Sequence, residues 1–429
     1  MPDAPPPFSG EKEKLYRKIL SDHYPGVVVA ICFLVLAVSY GIRGAFSVFF
    51  VAFLEEFEKS RSSTAGIIAL CYAIGAVVSP LVGTVVDRFG VRLTFFTGGL
   101  FLFLGLGLTS LSNQFWHIYL FFGAFLSLGL ALLDIIPITS FIDQWHVKSK
   151  GKAFGIAFSG RGIGHLLLLP FSQYLVSQMG WRHSFQILGA LSFGLVFSLC
   201  FLVRGVGPTP ARSRGLEGPP KFLTPRKDSD VSTGEALKTL LFWRLFTLRF
   251  LTSYGIYAIS VHLVAYLADL GFSKIYGATV TGLIGVLGFG GSIALGYISD
   301  HLGRGKSMII GFILSGLGVV FLILAGSFAL QWIIIVFLVL FGLGYGARGP
   351  VFAALASDLF SGKSLGRIYG LITLGVGLGQ ATGPWVAGLF FDLTGSYRIP
   401  FVSVLLSFTI SVLLTVGIEK MRVSPKAIP

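Results

Sequence analysis

The sequence predicts an all-α polytopic membrane protein, with 12 transmembrane helices in two pseudo-symmetric six-helix halves. Three observations carry this. Hydrophobic residues make up 54% of the 429-residue chain and charged residues only 12%, whereas a soluble protein keeps about a quarter of its residues charged. Lipid must therefore cover most of the surface. The apolar residues fall in runs of about 20 or more, the length a helix needs to cross a bilayer. These runs are continuous and do not alternate as the strands of a membrane β-barrel do. The chain also repeats itself: GTVVDRFGVR (83–92) and GYISDHLGRGK (296–306) align Gly83, Asp87 and Gly90 with Gly296, Asp300 and Gly303, an offset of 213 residues. A duplicated hydrophobic chain with a charged turn in each half marks a two-fold repeat carrier.

The elements follow in order. Residues 1–24 are polar and Pro-rich and read as a cytoplasmic tail. The first apolar run is too long for the apolar core of a cleavable signal peptide. Spans are expected at 26–53, 63–86, 93–112, 115–141, 152–178 and 184–203, which together form an N-terminal half over 25–203. Residues 204–242, with GVGPTPARSRGLEGPPKFLTPRKDSD, read as a flexible cytoplasmic linker. Its end, VSTGEALKTLLFWRLF, has the pattern of a short amphipathic lead-in. A C-terminal half over 243–419 holds spans at 243–268, 276–298, 307–327, 331–357, 364–391 and 397–419, before a basic tail over 420–429. The repeat extends beyond the charged turns. SYGIRGAFSVFFVAFLEEF from Ser39 in span 1 parallels SYGIYAISVHLVAYLADL from Ser253 in span 7, and GKAFG at the start of span 5 parallels GKSLG at span 11.

The net charge of +14 is explained by topology. With the N-terminus in the cytoplasm, inner segments carry 24 of the 33 Lys and Arg residues, and outer loops carry five: Lys59, Arg61, Arg182, Lys274 and Arg398. This fits the positive-inside rule with both termini cytoplasmic and argues against a nucleic-acid partner. The expected location is the cell membrane. Cys32, Cys71 and Cys200 all fall in spans and read as packing thiols, so neither a disulfide nor a metal site nor any cofactor is expected.

Ionisable residues inside spans are the sharpest functional signal, because a charge at mid-bilayer costs a few kcal/mol even on lenient scales. Arg43 lies mid-way along span 1. Arg161 is about ten residues into span 5, roughly 15 Å deep at 1.5 Å per residue. Arg348 precedes Pro350 in span 10, and Asp134 precedes Pro137 in span 4. Arg249, near the start of span 7, is placed to snorkel. Guanidinium forks suit carboxylate and phosphate, so Arg43, Arg161 and Arg348 are candidate substrate residues. In the competing reading, Asp134 neutralises one arginine as a structural pair and another arginine locks a gate. Asp134 is the best candidate acid for proton coupling, with His165 one helical turn after Arg161 as a second titratable group. His262 reads as a packing histidine. Tyr40, Tyr254, Tyr257 and Tyr345 offer hydroxyls to an anion, and Tyr257 aligns with Arg43 across the repeat. Gly160 and Gly164 on span 5, and Gly375, Gly379 and Gly383 on span 11, are stripes that let helices approach closely. Pro80, Pro137, Pro170, Pro350 and Pro384 are candidate bends. No enzyme constellation appears: there is no nucleophile elbow, metal-ligand spacing or paired carboxylate.

These residues lead to a family. Gly83, Asp87, Arg88, Gly90 and Arg92 form G-x-x-x-D-R-x-G-x-R between spans 2 and 3, which resembles the signature loop of the major facilitator superfamily; Gly296, Asp300, Gly303, Arg304 and Lys306 form its pseudo-copy. The resemblance covers spans 1 to 12. It implies that these loop residues, Asp300 and Arg304 included, lock a cytoplasmic gate, and that spans 1, 4, 7 and 10 line a central cavity. The stretch from Trp145 is similar to monocarboxylate and oxalate:formate-type carriers. It has Lys148, Lys150 and Lys152, then Gly155, Gly160, Gly162 and Gly164, then Gly180, Trp181, Arg182 and Phe185. Span 8 lacks the arginine of monocarboxylate carriers, and span 11 lacks the lysine of oxalate carriers, so countercharges for an anion are expected elsewhere. The sequence is therefore read as a secondary active transporter and not an enzyme. It is expected to move a small organic anion, a monocarboxylate for choice, by alternating access, with proton symport favoured over exchange. Its partners are expected to be an anionic small molecule and the bilayer, and it is expected to act as a monomer. A carrier or exporter of a drug, sugar or inorganic anion is the alternative.

Overall fold

The computed structural model describes residues 11–145, 150–203, 232–360 and 364–421. Lys148, most of the linker, the start of GKSLG and most of the C-terminal tail lie outside the described residues. All regular structure among the described residues is helical. Among the described residues, nine segments are long and apolar enough to cross a membrane. Two of them run for 50 and 52 residues, about 75 Å as straight helices, far beyond the ~30 Å of hydrocarbon.

Each of these two segments folds back at a glycine. In Arg61–Ser110 the turn is Gly90, with φ 78° and ψ 167°, a region open in practice only to glycine. Tyr119 of span 4 bonds the Ser63 carbonyl at 2.5 Å, while Leu126 packs on Gly105. Gly123, three residues before Leu126, lies against the Ile67 carbonyl, so residues 67 and 105 lie within about one helical turn in depth, and the chain between them is a hairpin of spans 2 and 3. Gly180 (φ 75°, ψ 168°) does the same inside Gly151–Leu202. Span 5 runs along span 1, with Gly160 at Phe33 and Gly164 at Ala37, whereas span 6 returns along span 3, with Arg182 at Ser112 and Cys200 at Arg92. The loops expected between spans 2 and 3 and between spans 5 and 6 are therefore one-residue turns.

With these hairpins and the helix Leu365–Thr394, the arms match the expected spans. Span 1 is Tyr24–Phe57, spans 2 and 3 are the arms of Arg61–Ser110, span 4 is Phe115–Trp145, and spans 5 and 6 are the arms of Gly151–Leu202. Spans 7 to 10 are Leu240–Asp269, Lys274–Leu302, Arg304–Phe328 and Gln331–Leu359; span 11 is Leu365–Thr394 and span 12 is Arg398–Thr415. The helix of span 1 begins at Glu11, so the expected tail is already helical in its second half. The lead-in Thr233–Lys238 carries a capping box between Ser232 and Glu235, which satisfies its first amide groups reciprocally.

The glycine stripes do what their spacing predicts. A Cβ at Gly160 or Gly164 would lie 2.2 Å or 2.0 Å from the carbonyl oxygen of Phe33 or Ala37. At Gly375, Gly379 and Gly383 it would lie 2.7, 2.4 and 2.4 Å from the carbonyls of Phe246, Phe250 and Tyr254. The span 1–5 and span 7–11 seams are thus the same backbone-to-backbone contact, once in each half. The halves meet where span 5 crosses span 8, with Gly162 on Gly285, and where span 2 crosses span 11, with Ala76 on Gly377.

Spans 4 and 10 are broken at matching places. Span 4 passes through a π-helical turn, Tyr119–Phe125, and breaks between Leu132 and Ile135, just before Pro137. Span 10 breaks through the 3-10 turn Gly346–Arg348, and its second helix starts at Pro350. Proline cannot donate to the preceding turn and crowds the carbonyl four residues back. Discontinuous helices at corresponding places in two repeats are the architecture of a carrier's central site.

A charged row at the broken helices and a latch at one end

Asp134 sits at the break in span 4, at the N-terminus of the helix Ile135–Trp145, where amide groups and the helix dipole favour a carboxylate. Its Oδ1 accepts from the Ile135 amide at 2.8 Å and from the Tyr40 hydroxyl at 3.0 Å, and its Oδ2 accepts from Arg43 Nη1 at 3.1 Å. The Arg43 and Asp134 side chains remain 13% and 26% accessible, so the pair borders open space. Arg43 is thus the arginine that Asp134 pairs with.

Arg161 is arranged differently. Its guanidinium lies 4.4 Å from the ring centre of Phe158 and 4.7 Å from that of Tyr40. Its Nε and Nη2 are buried without a hydrogen-bond partner among the described residues. These two nitrogens form the edge of the guanidinium whose N–H bonds point the same way, the edge that grips a carboxylate in two parallel bonds. His165 donates from Nδ1 to the Arg161 carbonyl at 2.9 Å. Its ring fits because residue 44 is glycine: a Cβ there would come within 2.7 Å of Nε2.

The row continues into the other half. Arg43 lies 5.1 Å from the ring centre of Tyr40 and 5.9 Å from that of Tyr72. Tyr72 meets Tyr257 edge to face at 5.0 Å, and Gln380 donates to the Tyr257 hydroxyl at 2.9 Å. Phe158, Arg161, Tyr40, Arg43 and Tyr72 thus alternate ring and cation, and Tyr257 carries the row on into span 7. Tyr72 and Gln380 are absent from the sequence reading, since neither stands in the repeated SYGI segments nor beside a span arginine. Tyr254 stands apart, its hydroxyl bonded to Ser403 of span 12 at 2.8 Å. Tyr345 packs over Gly288, and Arg249 stacks on Phe352 at 4.6 Å. Arg348 closes the 3-10 turn of span 10, but its side chain lies outside the described residues.

A second polar cluster joins the halves at the end of the bundle remote from the termini. Arg61, the first residue of span 2, donates to Asp269 at the end of span 7 through Nη2, at 3.1 and 2.8 Å. Its Nη1 bonds the Tyr397 hydroxyl, and its guanidinium stacks 3.8 Å over Phe391. Asp392 of span 11 caps the start of span 2, accepting from the amides of Arg61 and Ser62 at 2.8 Å each. Lys274, opening span 8, reaches Glu55 at the end of span 1 at 2.5 Å. Glu55 and Asp269 are 214 residues apart, and Arg61 and Lys274 are 213 apart. The two ion pairs are therefore copies of one contact, exchanged between the repeats. His262 is buried behind this latch, bonded to Tyr397 at 3.0 Å and to the Pro384 carbonyl at 2.9 Å, as a packing histidine should be. Trp181 and Arg182 both hold Glu56, and Phe185 stacks on Phe49 at 3.9 Å.

At the termini end, Gly90 and Gly303 form the turns, and Gly83 has open space beside it. Arg88 and Arg92 stack on Phe89 and Phe201, while Arg304 pairs with Asp300 and approaches Asp358 at 3.6 Å. Asp87 stands just before this turn. Among the described residues, no ion pair joins the two halves at this end.

Comparison with known proteins agrees with this architecture. A family model described as Major Facilitator Superfamily matches residues 32–347 and 291–427. Monocarboxylate transporter 2 of Mus musculus is 28% identical over 392 residues, 88% of this chain and 80% of that protein. Monocarboxylate transporter 12 of Xenopus laevis is 27% identical over 413 residues, 91% of this chain and 88% of that protein. A crystal structure of a bacterial homolog to human lysosomal transporter, Spinster, in inward-facing and unoccupied conformation superposes with a TM-score of 0.71 at 15% identity, covering 94% of this chain and 99% of that one. At that identity the likeness concerns the fold alone.

Proposed function

The chain belongs to the major facilitator superfamily, a family of multi-pass membrane transporters of small molecules, and from that premise we propose that it carries a small organic anion, a monocarboxylate, by alternating access. One observation carries the reading: the unpartnered Nε–Nη2 edge of Arg161, buried between Tyr40 and Phe158. Arg43 already has its countercharge in Asp134, so the row holds two arginines and one carboxylate, a net charge of one. A single carboxylate laid along Arg161 balances it. The names of the relatives support the same substrate class.

With the termini in the cytoplasm, as the distribution of Lys and Arg favours, the latched end faces outward and the described state faces inward. Arg61–Asp269, Lys274–Glu55 and the Asp392 cap then part as the halves rock, while the turns around Asp87 and Asp300 close the opposite end. In the proton-coupled form of this reading, Asp134 takes up a proton as it releases Arg43, so that two arginines face the anion. Exchange is the alternative, supported by the three donors that already satisfy Asp134; His165 then has no proton to carry. The protein works as a monomer in the cell membrane.

Uptake of radiolabelled monocarboxylates into proteoliposomes tests the assignment, together with thermal stabilisation of the purified protein by the same acids. Loss of a charge-assisted pair costs about 1.5–3 kcal/mol, a tenfold to hundredfold weakening of binding. R161Q should show that loss in both measurements. R161K keeps the charge but not the fork and should fall between. Uptake and stabilisation unchanged in R161Q, or stabilisation by neutral solutes alone, would overturn the assignment.

A further inference from the structure

On the lipid-facing side of spans 3 and 6, at the end of the bundle that carries the termini, lies a cavity of about 380 Å³. It is lined by Phe89, Leu93, Phe96, Phe197, Phe201 and Arg92, with Cys200 at its floor. Just beyond it, the Tyr24 hydroxyl bonds the Leu202 carbonyl at 2.8 Å and ties the end of span 6 to the start of span 1. The side chains at its mouth are open: Phe201 is 63% exposed and Phe89 53%. From there a ladder of rings runs up span 6. Phe201 meets Phe197 at 4.9 Å, Phe197 meets Phe193 at 5.6 Å, and Phe193 meets Phe103 at 5.4 Å. Residues 193, 197 and 201 stand one turn apart, so the ladder extends about 12 Å along the helix.

We propose that this groove binds one anionic phospholipid, with its phosphate on Arg88 and Arg92 and one acyl chain along the phenylalanine ladder. Any groove in a bilayer fills with hydrocarbon, so selectivity must come from the head group. Arg88 and Arg92 flank the Gly90 turn, are both exposed, and have no carboxylate partner among the described residues. Each guanidinium is instead laid on a ring, Arg88 on Phe89 and Arg92 on Phe201. That arrangement leaves the N–H edges free for a phosphate, which takes two parallel bonds from a guanidinium. Paired basic residues at the membrane surface recognise anionic head groups in this way. The site is separate from the central charged row and does not depend on the identity of the substrate.

Native mass spectrometry of the full-length protein, delipidated and then titrated with phosphatidylglycerol, phosphatidylcholine or inorganic phosphate, tests the site. Both lipids carry the phosphodiester that the arginines grip, but phosphatidylcholine also brings a quaternary ammonium against them, so the first 1:1 adduct of phosphatidylglycerol should exceed that of phosphatidylcholine by about thirtyfold. R88Q/R92Q should bring the two lipids to within about twofold, and inorganic phosphate alone should leave no adduct. A phosphatidylglycerol bearing a photoreactive acyl chain should label peptides covering 89–96 and 193–201 in the wild-type protein, a readout that needs no variant. Equal retention of the two lipids, a preference that survives R88Q/R92Q, or label confined to other peptides would overturn the proposal.

Discussion

Arg43 and Arg161 flank the same tyrosine, and what separates them is one carboxylate. Tyr40 bonds Asp134, Asp134 bonds Arg43, and Arg161 is left with a ring on each side and an edge without an acceptor. A span arginine is legible in sequence because its charge is expensive in hydrocarbon. Which arginine keeps its countercharge depends on where spans 1, 4 and 5 cross, and no spacing along the chain encodes that. Asp134 is the residue to which the proton-coupled form of the proposal assigns coupling. If it carries the proton, D134N should abolish accumulation driven by a pH gradient while leaving substrate exchange in place, as measured in proteoliposomes with and without internal anion. A gradient response equal to that of the wild type would remove Asp134 from the coupling step.

Among the elements, the glycines of the two seams differ from a glycine with open space beside it, such as Gly107, in what a methyl group would meet. At Gly379 a Cβ would stand 2.4 Å from the Phe250 carbonyl, whereas at Gly107 nothing lies within 4 Å. G379A should therefore force spans 7 and 11 apart and cost about 1–3 kcal/mol, the range for overpacking. G107A should leave stability unchanged or raise it by up to about 1 kcal/mol, the gain in helix propensity. Thermal unfolding of both variants in the same detergent checks the contrast; equal loss in the two would refute the seam. The stripes were legible because their spacing of four is a property of one helix. The hairpins at Gly90 and Gly180 were legible only as charged or polar interruptions, because a positive φ leaves no mark in the sequence beyond the glycine itself.

For the whole molecule, the latch is the contact that must change if the halves rock. Glu55–Lys274 and Asp269–Arg61 are repeat-related and both cross between halves, so opening that end breaks both together. A short reducible bis-thiol cross-linker applied to E55C/K274C should stop uptake, and reductant should restore it. Cys32, Cys71 and Cys200 are free but buried and can stay in place. Full uptake by the cross-linked protein would show that this end does not open in the cycle. In sequence, Arg61 and Lys274 counted only toward the charge asymmetry of the loops, and Glu55 and Asp269 were span ends. The repeat offset relates each to its copy, but the partner exchange appears only once the halves are set against each other.

The sequence by itself determined the membrane environment, the helical class, the repeat and the short set of intramembrane charges. These follow from hydropathy, periodicity and the cost of burying charge, which are local properties of the chain. Tertiary structure alone decided which arginine is neutralised and which residues hold one end shut. Each of those outcomes joins residues 90 to more than 300 positions apart, and such pairings are set by helix packing.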